Sequence, residues 1–483
     1  MEELTAEVVV AGAGPTGLML ANELALAGVD VQLLERMHER TGLSKALNLQ
    51  PRTAEILDLR GLLGRAENRS FATVADGHFA VIPVSYTGWN TRHPYQLGIP
   101  QAEVEATLEE RLAEQGVRVR RGHELTAFSQ DAAGVTVTAG DLRVRAAYLV
   151  GCDGGRSAVR KALNIPFEGT EGRGHGVSAD VLFEAPPPEA PTKWRSMDKM
   201  VTSRSPGKFV GVIPLNEPNL YRVSFGDRLH RPENLRAKVT DDEVRAAVEE
   251  RFGPEAKIAE IRWASRFSDD SRLAAKYRVD RVFLAGDAAH IHFPAGGQGL
   301  NLGVQDAMNL GWKLAAELRN QAPPHLLDTY ESERREVAKQ VLDNVAAQNA
   351  LIPLTKDQLA LRALFRDLAE LPEVQHHLSG LVSGLSIKYG TGETHPAAGA
   401  RLPDFPVGDG FASDRFHKGK FVLLTKTPAE PPHPEVEVVE VSELPWPDLE
   451  KILVRPDGYV ASTGSTSGWL SAGSGTHHPE ARL

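Results

Sequence analysis

Between Val8 and Glu35 the chain reads VVVAGAGPTGLMLANELALAGVDVQLLE. A short β-branched run, a GxGxxG turn, an apolar helical stretch and a second apolar run closing on an acid fit few arrangements. They fit a strand, a tight turn, a helix and a parallel strand, which is the dinucleotide-binding half of a doubly wound sheet. Val8–Ala11 is the first strand. Gly12 permits the turn, Gly14 lets a pyrophosphate approach the backbone, and Gly17 lets helix and strand pack closely. The helix runs over Leu18–Ala27 and ends at Gly28. Val29–Leu34 is the second strand, and Glu35 can accept hydrogen bonds from a ribose diol. Arg36 either lies over an adenosine or is simply solvated.

Two more strand–turn–helix junctions follow. Ala147–Val150 leads into Gly151-Cys152-Asp153-Gly154-Gly155-Arg156-Ser157 and the helical Ala158–Leu163. This is either a place for a phosphate or ribityl chain or an ordinary turn. Arg281–Ala285 reads as a buried strand ended by Gly286-Asp287. A turn with Pro294 and three glycines precedes a long helix that starts near Leu300. Leu300, Val304, Met308, Gly311 and Leu314 put one stripe on a helix face. A carboxylate and unpaired N–H groups at a helix N-terminus suit hydroxyl-bearing and electron-rich ligands. The bland alternative is a helix that merely follows a glycine-rich loop. His290 and His292 lack nearby Cys or a clear acid cluster, so they read as structural and no metal is expected.

The rest of the chain fills in around these junctions. Ser44–Leu59 and Gln101–Gln115 carry helical patterns. Phe71–Arg92 is aromatic and β-rich, as in an excursion into another sheet. Phe209–Pro214, Tyr221–Phe225 and Ile261–Ser265 alternate like strands around a helix at Glu243–Arg251. Tyr221, Val223 and Phe225 share one face, with Arg222 and Ser224 on the other. Tyr221, Arg222 and Phe225 are candidate substrate contacts, and the pattern leaves open which face meets a cavity. Asp328–Ala350 and Lys356–Leu371 read as helices. Phe421–Thr425, Val436–Val441 and Ile452–Arg455 read as strands of a terminal unit, before a Gly/Ser/Thr-rich loop or tail at Ser462–Gly475.

Composition narrows the classes. A net charge of −10 argues against a generic nucleic-acid or anionic-membrane surface. The single cysteine, Cys152, allows no internal disulfide and no Cys-based metal site. No signal peptide or membrane-spanning apolar run is visible, so the cytoplasm is the expected location.

GAGPTG at Gly12–Gly17, CDGGRSAVR at Cys152–Arg160 and GDAAHIHFPAGGQGLNLGVQDAMNLGWKL at Gly286–Leu314 occur in that order. Together they resemble the single-component FAD aromatic hydroxylases typified by p-hydroxybenzoate hydroxylase. Within that class the chain most resembles the aromatic-polyketide hydroxylases of anthracycline, angucycline and tetracycline pathways, and rifamycin hydroxylases are near relatives. The phrase LVRPDGYVA at Leu453–Ala461 extends the resemblance into the terminal unit. The fold implied is α/β: a Rossmann-like FAD domain, an inserted β-sheet substrate domain and a small thioredoxin-like C-terminal domain. The expected boundaries are 1–75, 98–173 and 265–350 for FAD binding, and 76–97 with 174–264 for the substrate sheet. A helical connection at 351–394 and the C-terminal domain at 395–483 complete the chain.

The resemblance also assigns roles. Gly12, Gly14 and Gly17 cradle the FAD pyrophosphate, and Glu35 holds the adenosine ribose. Gln101 and Arg111 match contacts to the ribityl and phosphate region. Asp153 belongs to a motif associated with FAD and NADPH, and Asp287 binds a ribityl hydroxyl. Pro294 sits over the reactive side of the flavin, Gly297 and Gly299 lie beside the ring, and the N–H groups of Leu300 and Asn301 face flavin N1 and O2. Lys45 stands where the class often has arginine, so a bidentate contact there is in doubt. The chemistry implied is hydroxylation of a polycyclic aromatic polyketide through a flavin C4a-hydroperoxide, as a tailoring step in antibiotic biosynthesis. FAD is non-covalent, NADPH is a co-substrate without its own Rossmann domain, O2 and a small aromatic molecule are the partners, and the enzyme is a monomer or homodimer. Drug inactivation, Baeyer–Villiger oxygenation and a non-catalytic flavoprotein are the alternatives. The terminal unit has no CxxC, so it is not a redox module.

Overall fold

The computed structural model describes residues 2–172, 174–202, 207–227, 237–352 and 355–464. The expected tail at Ser462–Gly475 therefore lies outside the described residues beyond Gly464. Strand β1 (Val8–Ala11), helix α1 (Pro15–Leu26) and strand β2 (Val31–Glu35) form the expected unit. Strands β3 (Tyr148–Gly151) and β4 (Val282–Leu284) extend the sheet beside β1. The order is Arg278–Val279, β4, β3, β1, β2, Val119–Arg121, parallel except for the Arg278–Val279 edge. Val8, Val9 and Val10 are fully buried, as a parallel strand covered on both faces requires. Register aligns the strand ends, with Ala11 opposite Leu34 and Gly151, and Gly151 opposite Leu284. The turns after β1, β3 and β4 thus leave the same edge of the sheet side by side. That is where open α/β sheets bind ligands.

Helix α2 (Gln298–Leu318) packs along α1, and α3 (Asp328–Ala350) packs along α2. A four-stranded sheet, in the order Glu2–Thr5, Leu142–Ala146, Gly134–Ala139, Leu125–Asp131, adds Val135, Val137 and Val144 to the same core. The inserted domain is an antiparallel sheet in the order Val201–Thr202, Lys208–Pro214, Leu220–Asp227, His175–Phe183, Ile258–Ser268. The helix Asp241–Phe252 covers one face, burying Val244 and Val248 against Val181, Val212 and Val223. Asp180, Arg222, Ser178 and Ser224 occupy the other face by alternation.

Two expectations need correction. The helical pattern over Ser44–Leu59 forms a helix only at Pro51–Asp58, because Pro51 suits the first helical turn and Asn48–Leu49 is extended and paired with Leu97–Gly98. Residues 76–97 do not join the inserted sheet. Asp76–Phe79 and Ile82–Ser85 make their own hairpin, whose Phe79, Ile82 and Val84 share a core with Leu378 and Val382. Gln96–Gly98 instead pairs with Asn48–Leu49 and Ala72–Val74 in a small sheet. The helix expected at Lys356–Leu371 is present at Lys356–Ala369, and a further helix, Pro372–Ser383, follows it.

The terminal unit has the order Val436–Glu440, Phe421–Thr425, Lys451–Val454, Val460–Ser462, one parallel pair followed by an antiparallel hairpin. This is a thioredoxin-like sheet. Its Arg455–Gly458 turn reaches into the first domain, where Arg52 donates to the Asp457 carbonyl at 2.8 Å. Among the described residues no helix is long and apolar enough to cross a membrane.

Candidate active site

The three glycine-bearing turns interlock. Gly12 has φ +104°, and a Cβ there would lie 2.4 Å from the Cys152 carbonyl oxygen. A Cβ on Gly17 would lie 1.9 Å from the Gly12 carbonyl oxygen, so α1 can cross the turn only with glycine at that position. A Cβ on Gly14 would meet nothing within 4 Å, which leaves the outer side of the turn open. The first turn of α1 also touches the third motif: a side chain on Gly286 or Gly303 would strike Thr16 Oγ1. Arg160 ties the second motif to the third by donating to the Ala288 carbonyl at 2.7 Å and the Gly155 carbonyl at 2.9 Å.

Carboxylates mark the rim of this junction. Glu35 accepts from the Ala13 and Met37 N–H groups, each at 2.9 Å, which fixes it at the end of β2 beside the glycine turn. Arg36 is exposed. Asp153 Oδ2 accepts from Ala158 N at 2.6 Å, while its Oδ1 is buried without a partner among the described residues. Asp287 is exposed just past β4 and has no hydrogen-bond partner among the described residues.

The start of α2 is left open in the same way. Its N-cap is Gly297 at φ +63°, with no side-chain cap, so the first N–H groups have neither an intrahelical nor a side-chain partner. A Cβ on Gly297 would lie 2.2 Å from Asn48 Oδ1. Pro294 is exposed at the head of this turn, and Gly299 and Leu300 are half-buried. Asn301 acts through its side chain as well as its position: Oδ1 accepts from Gln50 N at 2.8 Å and Nδ2 donates to the Gly297 carbonyl at 2.8 Å. Gln50 donates to the Gly296 carbonyl and accepts from Tyr86 O–H at 2.9 Å. Asn48, Gln50 and Tyr86 brace the glycine turn, positions that sequence reasoning missed because no periodic pattern singles them out.

Behind the turn lies a fully buried ion cluster. Asp306 accepts from Gly286 N at 3.0 Å, from His290 Nε2 at 2.6 Å and from Arg334 Nε at 2.7 Å. Burial alone would raise its pKa, but His290 and Arg334 hold it below the usual carboxylate range. His290 thus has an acid partner that its local sequence did not reveal, and it is buried within this cluster. His292 donates from Nδ1 to the Phe293 carbonyl at 2.7 Å, while its Nε2 is buried without a partner among the described residues. Burial lowers its pKa and favours the neutral ring. Among the described residues no three His, Cys, Asp or Glu side chains could hold a metal.

The remaining sequence candidates divide. Gln101 is joined to the Lys45 loop, since Ala46 N donates to Gln101 Oε1 at 3.4 Å and Gln101 N to the Ala46 carbonyl at 3.0 Å. Lys45 itself is exposed. Arg111 pairs with Glu114 at 3.3 Å, about 15 Å along the same helix from Gln101, so the structure does not bring the two together. Tyr221 and Phe225 are corrected: they face the helix Asp241–Phe252, and Tyr221 meets Phe183 edge to face at 5.6 Å. Arg222 lies on the opposite, open face but is fully engaged. It pairs with Asp180, donates to the Ser44 carbonyl at 2.6 Å and lies over Trp263 at 4.8 Å. It fastens the inserted sheet to the Lys45 loop. Phe267 of that sheet meets Phe293 of the glycine turn at 5.8 Å, which joins sheet and turn.

The donor set fits FAD. A pyrophosphate needs the open side of Gly14, and hydroxyl groups need unpartnered carboxylate oxygens such as those of Asp153 and Asp287. An electron-rich ring edge needs the uncapped start of α2. The comparisons agree. The FAD binding domain family matches residues 5–345, and the aromatic-ring hydroxylase C-terminal family matches residues 395–478. The anhydrotetracycline monooxygenase of Streptomyces rimosus is 44% identical over 95% of each chain. A rifampicin monooxygenase of Streptomyces venezuelae is 41% identical over 95% of each chain. The solved structure of the OxyS anhydrotetracycline hydroxylase from Streptomyces rimosus superposes with a TM-score of 0.86 at 42% identity, covering 96% of this chain and 97% of that one.

Proposed function

This chain belongs to the FAD-dependent aromatic-ring hydroxylases, and on that premise we propose that it hydroxylates a flat polycyclic phenol or quinone of aromatic-polyketide type, using NADPH and O2. The observation that carries this reading is the uncapped start of α2, set beside the inserted sheet at the Phe267–Phe293 contact. FAD, when bound, supplies the oxygen activation that no side chain here can provide.

The residues would divide the work as follows. Gly12, Gly14 and Gly17 leave room for the pyrophosphate, and Glu35 takes the adenosine ribose. Asp287 and Asp153 accept from hydroxyls, with Gln101, Arg111 and Lys45 along the same extended ligand. The N–H groups of Leu300 and Asn301 stabilise negative charge on the ring edge, where the helix dipole adds to them. Pro294, Gly297 and Gly299 set how closely the ring approaches the backbone. The inserted sheet excludes water and orients the substrate. The polyketide assignment is supported by the anhydrotetracycline monooxygenase relative. Inactivation of a drug is a second reading, supported by the 41% identical rifampicin monooxygenase.

The test is NADPH oxidation by the yellow holoenzyme with and without polycyclic phenols, read together with product mass. Substrate-stimulated oxidation and a product heavier by one oxygen atom from O2 are expected. Equal oxidation rates with and without every ring system, and no oxygenated product, would replace the reading with an oxidase or dehydrogenase.

A further inference from the structure

An aromatic pair stands near the Gly296–Gly297 turn and is not used by any role described so far. The Trp194 ring lies nearly parallel to Phe71, with centroids 5.4 Å apart and planes at 17°. Both residues are half-buried. The pair is tied to the glycine turn through the small sheet. Trp194 occupies the space that a side chain at position 98 would take, since a Cβ on Gly98 would lie 2.6 Å from its ring. Gly98 is directly opposite Asn48 in the antiparallel ladder, and opposed residues point to the same face. Asn48 in turn is the residue that a Cβ on Gly297 would strike. Trp194, Asn48 and the Gly296–Gly297 turn therefore share one face of that sheet. At about 4.8 Å per strand spacing, the indole stands roughly 5–10 Å from the turn.

Two surfaces flank the turn. The inserted sheet offers hydrogen-bonding groups, with Ser178 and Ser224 joined at 2.9 Å and Arg222 paired to Asp180, beside the rings of Trp263 and Phe267. The surface at Trp194 is flat, aromatic and held in place by its stack on Phe71. Together they match a ligand with a planar face and hydroxylated edges. Resting on the aromatic-hydroxylase reading, we infer that the Phe71–Trp194 pair is the platform on which the fused rings of the substrate stack. Trp194 selects several fused rings over one ring, because a single phenol placed at the glycine turn does not extend far enough to cover the indole.

Binding to the FAD-loaded enzyme tests this, with 1,8-dihydroxyanthraquinone as the three-ring probe and phenol as the one-ring probe. Each is titrated by its perturbation of the flavin absorbance. Trp194→Ala should weaken the three-ring probe by roughly 10-fold and leave phenol within about 2-fold, as loss of a stacked, buried ring implies. FAD retention should not change. Trp194→Phe should keep most of the affinity but lose the probe-dependent quenching of tryptophan emission. Equal weakening of both probes, or of neither, overturns the platform. So does unchanged quenching in Trp194→Phe, which also decides the matter if the alanine variant does not fold. If wild type binds both probes with no preference for three rings, the platform falls and the hydroxylase reading stands. If wild type hydroxylates no ring system at all, that reading falls first.

Discussion

The two ends of α2 treat polarity in opposite ways. At its start the helix has a left-handed glycine for a cap, no side-chain acceptor for its first N–H groups, and exposed Asp287 nearby. Four turns on, every polar group is closed. Lys313 donates to Glu333 and Asn309, each at 2.8 Å, and Asn309 donates to Glu333 at 2.6 Å. Arg455 of the terminal unit clamps Glu333 at 2.7 and 3.0 Å and also pairs with Asp457, which accepts from Trp312 Nε1 at 3.2 Å. Lys313 and Arg455 are essentially inaccessible to solvent. Buried charge persists only where it is paired and hydrogen-bonded, so the closed end fastens domains together. The open end keeps unspent donors, which are favourable only when a ligand meets them. One helix therefore carries architecture at one end and a binding site at the other.

The largest effect should come from the closed end. Glu333→Leu strands Lys313 and Arg455 in the core and should destabilise the fold by about 3–5 kcal/mol, read as a drop in urea midpoint. The same carboxylate sets an acid limit. Burial alone would raise its pKa, but Arg455 and Lys313 hold it far below its ordinary 4.5. The folded state thus binds this proton more weakly than the unfolded chain does. Its stabilisation is fully present above pH 4.5 and is lost as pH falls below it. Wild type should show that acid loss, and Glu333→Leu should lack this component of it.

At the open end the expected effects are smaller and fall on the cofactor. Asp287→Ala should cost FAD binding roughly 1.5–3 kcal/mol, since a ribityl hydroxyl loses a charged acceptor. Apoprotein stability should be unchanged, and unchanged FAD affinity would show that the acid lies elsewhere. Gly297→Val combines an unfavourable φ with the Asn48 clash. It should cost about 1–3 kcal/mol and divert NADPH oxidation from hydroxylation to peroxide, measured as product formed per NADPH consumed. Tyr86→Phe removes only the hydrogen bond to Gln50. It should shift FAD affinity or coupling by about 1 kcal/mol at most, and a larger loss would make the Tyr86–Gln50–Gly296 chain more than a support.

Much of this was legible in the sequence because it is local. The strand, glycine turn and helix at Val8–Leu26 are set by neighbouring residues, and so are Asp287 and the start of α2. The closed end was not legible, because its partners are far apart in the chain: Glu333 meets Arg455, and Asp306 meets Arg334 and His290. Tyr221 illustrates a second limit. Alternation put it opposite Arg222 correctly, but period two is symmetrical, and only the helix Asp241–Phe252 decides which face is core. The strand His175–Phe183 was hidden by the polar Ser178 and Asp180 on its open face. The hairpin at Asp76–Ser85 looked like part of a sheet because its residues favour strands, while its packing partners lie beyond Leu351.

Hydrogen–deuterium exchange of the apoprotein and the FAD-loaded protein tests the contrast between the two ends most directly. FAD should slow exchange at the open backbone N–H groups of Gly14, Thr16 and Gly17 and of Gln298–Leu300, whose donors then gain partners. Exchange around Asn309–Lys313 and Arg455–Gly458 should be the same in both forms, because those groups are already closed. Protection that appears at Asn309–Lys313 and Arg455–Gly458 while Gln298–Leu300 is unchanged would contradict the account.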